Sequence, residues 1–174
     1  MNIREVTKSD AADLSKIAAQ TYKETFGHSF TPEELETQIQ ETRSEQYFLS
    51  ALQKDTILVA EQDGQTIGYV QICDMKITVK EHTVDKGSQA INAIYIAAAH
   101  QGKGIGKRLM DEAFKHPRIV QSKSVYIDVW EENERAVNFY KNYGFSVVGK
   151  CDVVVDGKTV GEDLVLAKHT GQNK

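Results

Sequence analysis

Residues 90–109, AINAIYIAAAHQGKGIGKRL, decide the fold of this chain. The first part is rich in β-branched and aromatic side chains, which favour a buried strand. Further along, Ile105, Leu109 and Ala113 recur at a spacing of four, so they line one face of a helix. The glycines between these two parts, within residues 101–106, predict a tight turn that leads from the strand into the helix.

The turn has the features of an anion-binding site. Gly102, Gly104 and Gly106 alternate with larger residues, and without a Cβ their backbone N–H groups can approach a ligand closely. These donors precede a helix, whose N-terminal amides are unpaired and whose dipole is positive at that end. Lys103 and Lys107 add full positive charges. The turn therefore predicts a phosphate or pyrophosphate site, although glycines alone also fit an ordinary strand-to-helix turn.

Two other phosphate motifs do not fit this turn. A Walker A loop has four residues between its first Gly and its Gly-Lys, whereas Gly102 and Gly106 enclose three, and Arg108 instead of Ser or Thr follows Lys107. The dinucleotide pattern G-x-G-x-x-G is also absent here. Asp128 does fall about where a ribose-binding acid is expected, so spacing alone excludes the dinucleotide motif.

A second motif, ENERAVNFYKNYGF at residues 132–145, identifies a family. It resembles the N-x-x-A-x-x-x-Y-x-x-x-G-F segment of the GNAT superfamily of N-acetyltransferases. The pattern Q-x-x-G-x-G at residues 101–106 resembles the coenzyme A loop of the same superfamily. Two matches in the right order are more specific than either one, and the resemblance covers nearly the whole chain.

The order of predicted elements mixes hairpins with a central βαβ unit. This order predicts an α/β (α+β) fold with a mixed, largely antiparallel sheet flanked by helices on both faces, which is also the GNAT order. The segment between the second hairpin strand and the central strand, residues 74–89, is expected to be irregular, as a substrate-side loop or a solvated linker. The predicted strands are residues 3–6, 57–62, 65–72, 91–96, 123–130, 145–155 and 158–166. Tight turns are predicted at Asp63-Gly64 and Asp156-Gly157. Five helices are predicted: one capped by Ser9 or Asp10, one from Pro32 to about residue 42, one over residues 44–53, one from the glycine-rich turn to about residue 115, and one over residues 134–143.

Length and composition indicate one globular domain. The 174 residues are 40% hydrophobic, and we assign residues 1–168 to the GNAT domain and 169–174 to a polar C-terminal tail. A net charge of −4 argues against nucleic-acid binding. No signal peptide or membrane span is expected, which predicts a cytoplasmic protein. The two cysteines, Cys73 and Cys151, and the five scattered histidines give no reason to expect a disulfide framework or a metal site.

The resemblance implies acetyl-CoA as cofactor and a set of residues that hold it. In GNAT enzymes the pantetheine arm pairs with the central strand as an added strand would. A strand N–H then stabilises the oxyanion, and the turn amides hold the pyrophosphate. By position, the resemblance implies that the cofactor contacts the end of the strand at Ile94, Tyr95 and Ile96 and the turn at Gln101, Gly102, Lys103, Gly104, Ile105, Gly106 and Lys107. It also implies a pantetheine contact from Asn133 and a contact near the nucleotide from Lys141.

Tyr140 is the candidate catalytic residue. It matches the tyrosine that lies beside the coenzyme sulfur in many relatives, where a phenol can protonate the departing thiolate. The alternative is a core aromatic, because Ala136, Tyr140 and Tyr143 share a helix face. The general base stays open: an alkylammonium must lose a proton before it attacks, and a water chain to Asp128, His28 or Asp74 would serve, as would an amine that binds neutral.

The acceptor is predicted from the N-terminal region. Residues 21–34 resemble the corresponding region of PaiA-type polyamine acetyltransferases, in which acidic and aromatic side chains line the amine site. The resemblance implies a small-molecule amine, best spermidine or spermine, and a monomer or homodimer. A peptide N-terminus or lysine is the alternative acceptor, and a catalytically silent acyl-CoA-binding regulatory module is the alternative function. The candidate acceptor residues are Glu24, His28, Glu33 and Glu34, although charges at a helix start are commonly just solvated.

Overall fold

A computed structural model describes residues 1–155 and 158–171 of the chain. The predicted Asp156-Gly157 turn and the end of the predicted tail, residues 172–174, lie outside the described residues. The chain forms two compact units. The first comprises Met1–Ile72 with Ala93–Ala113, and the second comprises Cys73–Asn92 with the chain from Phe114 onward.

The elements follow the predicted order. The strands are β1 (Asn2–Glu5), β2 (Thr56–Gln62), β3 (Gln65–Asp74), β4 (Gln89–Ile96), β5 (Ser124–Trp130), β6 (Ser146–Val155) and β7 (Lys158–His169). The helices are α1 (Ala11–Phe26), α2 (Pro32–Arg43), α3 (Glu45–Ala51), α4 (Ile105–Ala113), α5 (Pro117–Val120) and α6 (Glu134–Asn142). The sequence analysis missed α5: Pro117 does not follow a longer α4 but occupies the first turn of a new helix, where its missing N–H is tolerated.

The first unit contains strands in the order β1-β2-β3-β4. β2 pairs antiparallel with both β1 and β3. In the core of the first unit, α1 and α3 pack on the strands, and Leu14, Phe48, Ile57 and Tyr69 are all at most 1% exposed. α2 begins with a capping box in which Thr31 and Glu34 satisfy each other's backbone N–H groups.

The second unit contains strands in the order β4-β5-β7-β6. β7 pairs antiparallel with β5 and with β6, while β4 runs parallel to β5. The parallel pairing is short: it places Gln89 opposite Val125 and Ala90 opposite Tyr126. The predicted mixed, mostly antiparallel sheet with flanking helices is confirmed.

The segment of residues 75–88, called the 75–88 loop below, has no helix or strand, as predicted. It is nevertheless packed. Val79 is buried against Tyr126, Cys151 and Val165. Close by, the backbone N–H of residue 80 donates to the carbonyl oxygen of residue 150 on β6 at 2.8 Å. The loop therefore covers part of a sheet face and is not a solvated linker.

Candidate functional site

Residues 101–106, called the glycine turn below, have the geometry that their sequence predicts. Gly102 and Gly104 have φ values of +74° and +76°, which L-residues with a Cβ rarely adopt. A Cβ at either position would meet no atom within 4 Å, so the turn presents its backbone to open space. Gln101 closes the turn: its Nε2 donates to the carbonyl oxygen of Ile96 at 2.9 Å. Gly106 lies inside α4 and needs no left-handed conformation.

The start of α4 supplies the donors for an anion. The first amides of an α-helix, here those of Ile105, Gly106 and Lys107, have no carbonyl partner within the helix. The buried Ile105 side chain anchors this end of the helix in the core. Lys103 is exposed, and the Lys107 ammonium is 2.8 Å from Asp111 one turn later. An anion at this position would therefore meet backbone dipoles and the positive charges of two exposed lysines.

The end of β4 leads directly into the glycine turn. Ile94, Tyr95 and Ile96 are all half-buried. The Tyr95 ring packs on Tyr69 with 5.8 Å between ring centroids. The carbonyl oxygen of Ile96 accepts the Gln101 side chain described above, so the predicted pantetheine strand and the predicted pyrophosphate turn are joined by a hydrogen bond.

The second motif forms α6 in the second unit. Asn133 caps this helix, since its Oδ1 accepts the N–H of Ala136 at 3.2 Å. Tyr140 is only 7% exposed and its ring packs edge-on against Phe145 at 6.0 Å. Tyr140 is therefore a packed aromatic, which fits the core alternative and leaves its catalytic role a prediction. Lys141 is exposed on the same helix.

Two carboxylates form a pair that the sequence analysis did not predict. Trp130 on β5 lies opposite Asp163 on β7, and Asp128 lies two residues before Trp130, so both carboxylates project from one sheet face. Loss of hydrating water, with a further contribution from the negative charge of Asp128, raises the pKa of Asp163 to about 6. Asp128 is exposed on its strand, yet the protein groups around its carboxylate displace part of the hydrating water and raise its pKa.

Cys151 on β6 lies on the same face of the sheet as Asp128 and Asp163. It lies opposite Asp163 in the β6–β7 ladder and is buried. Burial first, and the charges of Asp128 and Asp163 second, raise the pKa of this thiol to about 11. Cys151 is therefore a neutral thiol at physiological pH, and it is not a candidate nucleophile. The sequence indicates Asp128 only as one possible base, and it does not indicate Asp163, because nothing in the local sequence shows the register of β7 against β5.

The candidate acceptor residues on α1, on α2 and in the turn between these helices are mostly exposed. Glu24 accepts a hydrogen bond from Gln20 at 3.0 Å, and His28 and Glu33 lie at the surface. Glu34 is different, because its carboxylate accepts both the N–H and the hydroxyl of Thr31 at 2.8 Å. These two hydrogen bonds lower the pKa of Glu34. Its observed contacts thus stabilise the start of α2, and an acceptor role for the four residues stays a prediction.

Arg43, at the end of α2, is a further residue that the sequence analysis missed. Its Cζ lies 3.7 Å from the centroid of the Tyr22 ring and 5.9 Å from that of Tyr95. These residues are distant in sequence, so no local pattern could have indicated the cluster.

None of the helices in the described part of the chain combines the length and the apolar character that a membrane span requires. Within residues 1–155 and 158–171, no group of three or more His, Cys, Asp or Glu side chains is arranged to hold a metal ion.

Comparison with known proteins places these features in a family. The model of the acetyltransferase (GNAT) family matches residues 14–145, more than half of the chain. An uncharacterized N-acetyltransferase from the pepI 3′ region of Lactobacillus delbrueckii subsp. lactis is 28% identical over 170 residues, which cover 97% of this chain and 96% of the relative. A spermine/spermidine N(1)-acetyltransferase of Bacillus subtilis is 29% identical over only 63 residues, 36% of this chain and 41% of the relative.

A solved structure agrees over a longer span. The PaiA N-acetyltransferase of Thermoplasma acidophilum, crystallised with coenzyme A, superposes with a TM-score of 0.77. The match covers 97% of this chain and 98% of that protein at 22% sequence identity. At this identity the similarity establishes the fold.

Proposed function

The chain belongs to the acetyltransferase (GNAT) family, and we propose that it transfers the acetyl group of acetyl-CoA directly to a primary amine. The observation that carries the proposal is the glycine turn: two left-handed glycines beside open space, followed at once by the unpaired amides of α4. This arrangement suits a pyrophosphate. The coenzyme A bound in the structure of the Thermoplasma protein supports the same choice of cofactor.

In this proposal the cofactor extends from the turn along β4. The amides of residues 101–107 bind the pyrophosphate, and the backbone of Ile94 and Ile96 pairs with the pantetheine amides. Asn133 adds a pantetheine contact, and Lys141 a contact to a nucleotide phosphate. The short β4–β5 pairing, which ends at Ala90, supports this role because unpaired strand backbone is needed to pair with a ligand.

Tyr140 acts as the general acid. The amine nitrogen attacks the thioester carbonyl carbon, the C–S bond breaks, and the departing thiolate takes the phenolic proton. The packing of the Tyr140 ring on Phe145 is compatible with this role as well as with a core role, because it fixes the position of the phenolic oxygen.

Asp128 and Asp163 supply the complementary charge. A primary amine is an ammonium ion at neutral pH and must release a proton before it attacks. We propose that Asp128 accepts this proton through water and that Asp163 strengthens the attraction for the cation. The raised pKa values of both carboxyls support the role, because a base is more effective as its pKa approaches the working pH.

The acceptor class has two candidates. Polyamines such as spermidine and spermine are supported by the short match to the Bacillus enzyme and by the fold match to PaiA. Amines that carry a carboxylate, such as lysine or a peptide, are supported by Arg43, as argued below. A catalytically silent acyl-CoA-binding module remains the alternative to an enzyme.

The test is an amine-panel assay that measures thiol release from acetyl-CoA and the mass of the product. Tyr140→Phe should lower kcat by about 100-fold or more while the acetyl-CoA Kd is unchanged, since it removes only the proton donor. Tyr143→Phe, a neighbouring tyrosine on the same helix end, is the matched control and should stay near the parent rate. Tight acetyl-CoA binding without release on any amine would instead support the silent module.

A further inference from the structure

Arg43 lies between two tyrosine rings of the first unit. Its guanidinium stacks on the buried Tyr22 at 3.7 Å and lies 5.9 Å from the Tyr95 ring. The end of α2 is also held in place, because the Ser15 hydroxyl donates to the Arg43 carbonyl oxygen at 2.7 Å. Contact with the face of the Tyr22 ring restricts the movement of the guanidinium, which favours binding of a planar partner.

The charge of Arg43 has no carboxylate partner among the described residues. Its Nε is buried without a hydrogen-bond partner, and the guanidinium contact that is seen goes to the Thr42 hydroxyl. Two other arginines are paired with carboxylates: Arg4 lies within 2.7 Å of Asp10 and Glu61, and Arg118 lies 2.7 Å from Asp74. A partly buried cation with an unused donor is unfavourable unless an anion completes it.

Arg43 lies close to the strand that we propose to bind the cofactor, because its Cζ is 5.9 Å from the centroid of the Tyr95 ring. Tyr95 stands on β4 between Ile94 and Ile96, whose backbone groups we propose to hold the pantetheine arm. Side chains alternate across a strand, and the Tyr95 ring packs with Phe48 and Tyr69 in the core beneath α1 and α3. Arg43 therefore lies beside the cofactor strand, on the face toward which the Tyr95 ring points.

We propose that Arg43 binds a carboxylate on the amine acceptor, so that the acceptor is an amino acid or a similar small amine with a carboxylate. A guanidinium presents parallel N–H donors that match the two oxygens of a carboxylate. This inference rests on the proposed function and narrows it, because a polyamine offers no group to Arg43.

The first test compares acceptors with and without this carboxylate charge. L-amino acids are assayed beside their carboxamides, together with spermidine and spermine, using the parent and Arg43→Gln, Arg43→Lys and Lys23→Gln. The parent should favour the acids over the amides in kcat/KM by about 100-fold. Arg43→Gln should abolish that ratio, mainly through KM, without slowing the amides. Arg43→Lys should restore part of it, because an ammonium keeps the charge and loses the planar donors.

The control and the contrary outcomes are defined by the same assay. Lys23→Gln removes an exposed positive charge from the neighbouring α1 and should keep the parent ratio. Faster turnover of spermidine than of every amino acid, or an acid-to-amide ratio that Arg43→Gln leaves unchanged, would overturn the inference. Acetyl transfer to no amine at all would instead count against the proposed function.

A second measurement does not depend on turnover. The Nε–H signal of Arg43 in a ¹⁵N-edited NMR spectrum is assigned by its loss in Arg43→Gln. Titration with N-acetylglycine should shift this signal to saturation, while N-acetylglycinamide, which lacks the charge, should not. Equal responses to the acid and the amide would refute the carboxylate site whatever the amine panel shows.

Discussion

The glycine turn presents its backbone to open space, whereas the 75–88 loop, which also adjoins β4, packs against a glycine on β6. In the glycine turn, Gly102 and Gly104 are required by backbone conformation, and a Cβ at either would meet nothing within 4 Å. Against the 75–88 loop, a Cβ at Gly149 would lie 2.7 Å from the Lys80 carbonyl oxygen and 2.8 Å from a Val79 methyl group. The first case marks a surface open to a ligand, and the second marks a packed contact.

The strongest test of this difference is Gly104→Val. A β-branched residue is disfavoured at φ +76°, so the turn should rearrange and its amides should lose their common direction. We expect the acetyl-CoA Kd, measured by calorimetry, to rise by about 100-fold as these donors are lost.

The matched control for Gly104→Val is Gly87→Val in the 75–88 loop. Gly87 has φ +84° and equally open surroundings, so the backbone strain is similar. Gly87→Val should lose comparable stability and keep the parent acetyl-CoA affinity. If both variants bind acetyl-CoA equally well, the glycine turn is not the pyrophosphate site.

Gly149→Ala tests the close contact between β6 and the 75–88 loop. The added methyl would press on the backbone of the 75–88 loop, and overpacking of this kind should lower the free energy of unfolding by about 2–3 kcal/mol. Urea denaturation gives the value. Gly161→Ala on the adjacent β7 meets no atom within 4 Å and should change stability by less than about 0.5 kcal/mol. Equal changes in the free energy of unfolding for the two substitutions would show that the 75–88 loop moves to accommodate the added methyl group at no cost in stability.

Asp163→Asn tests the charged surface of the second unit. The folded chain holds the Asp163 proton up to about pH 6, whereas the unfolded chain releases it near its ordinary pKa of 3.8. Stability contributed by this group is therefore lost as the pH rises from about 4 to about 6. The variant should be more stable than the parent by about 1–2 kcal/mol at pH 7.5, after allowance for partial exposure, and should not be at pH 4.

The measurement for Asp163→Asn is urea denaturation at both pH values. Asp63→Asn, in the exposed β2–β3 turn, provides a control for loss of one negative charge. A stability difference that is the same at pH 4 and pH 7.5 would mean that folding does not raise the pKa of Asp163.

Tyr126→Phe gives the smallest expected effect and separates polar from apolar attachment of the 75–88 loop. The Tyr126 hydroxyl lies 3.1 Å from Nε2 of His82 in the loop. Loss of this hydrogen bond should lower the free energy of unfolding by about 1 kcal/mol, less than Gly149→Ala, because burial of Val79 and its neighbours provides most of the attachment. Thermal unfolding at two scan rates checks whether Tyr126→Phe destabilises the protein less than Gly149→Ala does. A larger effect of Tyr126→Phe would show that the hydrogen bond to His82, and not apolar packing, provides most of the attachment of the loop.

Local sequence determined much of this protein. Apart from the short helix α5, the order of the helices and strands, the tight glycine turn and the family motif at residues 132–145 could all be predicted. Each depends on the backbone preferences of a few neighbouring residues, or on a periodicity within one element, and such preferences act before distant parts of the chain meet.

Only the tertiary structure decided which side chains meet. Asp128 and Asp163 share a face because of the register between β5 and β7, and Arg43 reaches Tyr22 and Tyr95 because α2 ends beside α1 and β4. The 75–88 loop is packed because Val79 finds an apolar face built from three strands. Strand register and helix placement minimise the exposed apolar surface of a whole unit, and that quantity cannot be evaluated within any short stretch of sequence.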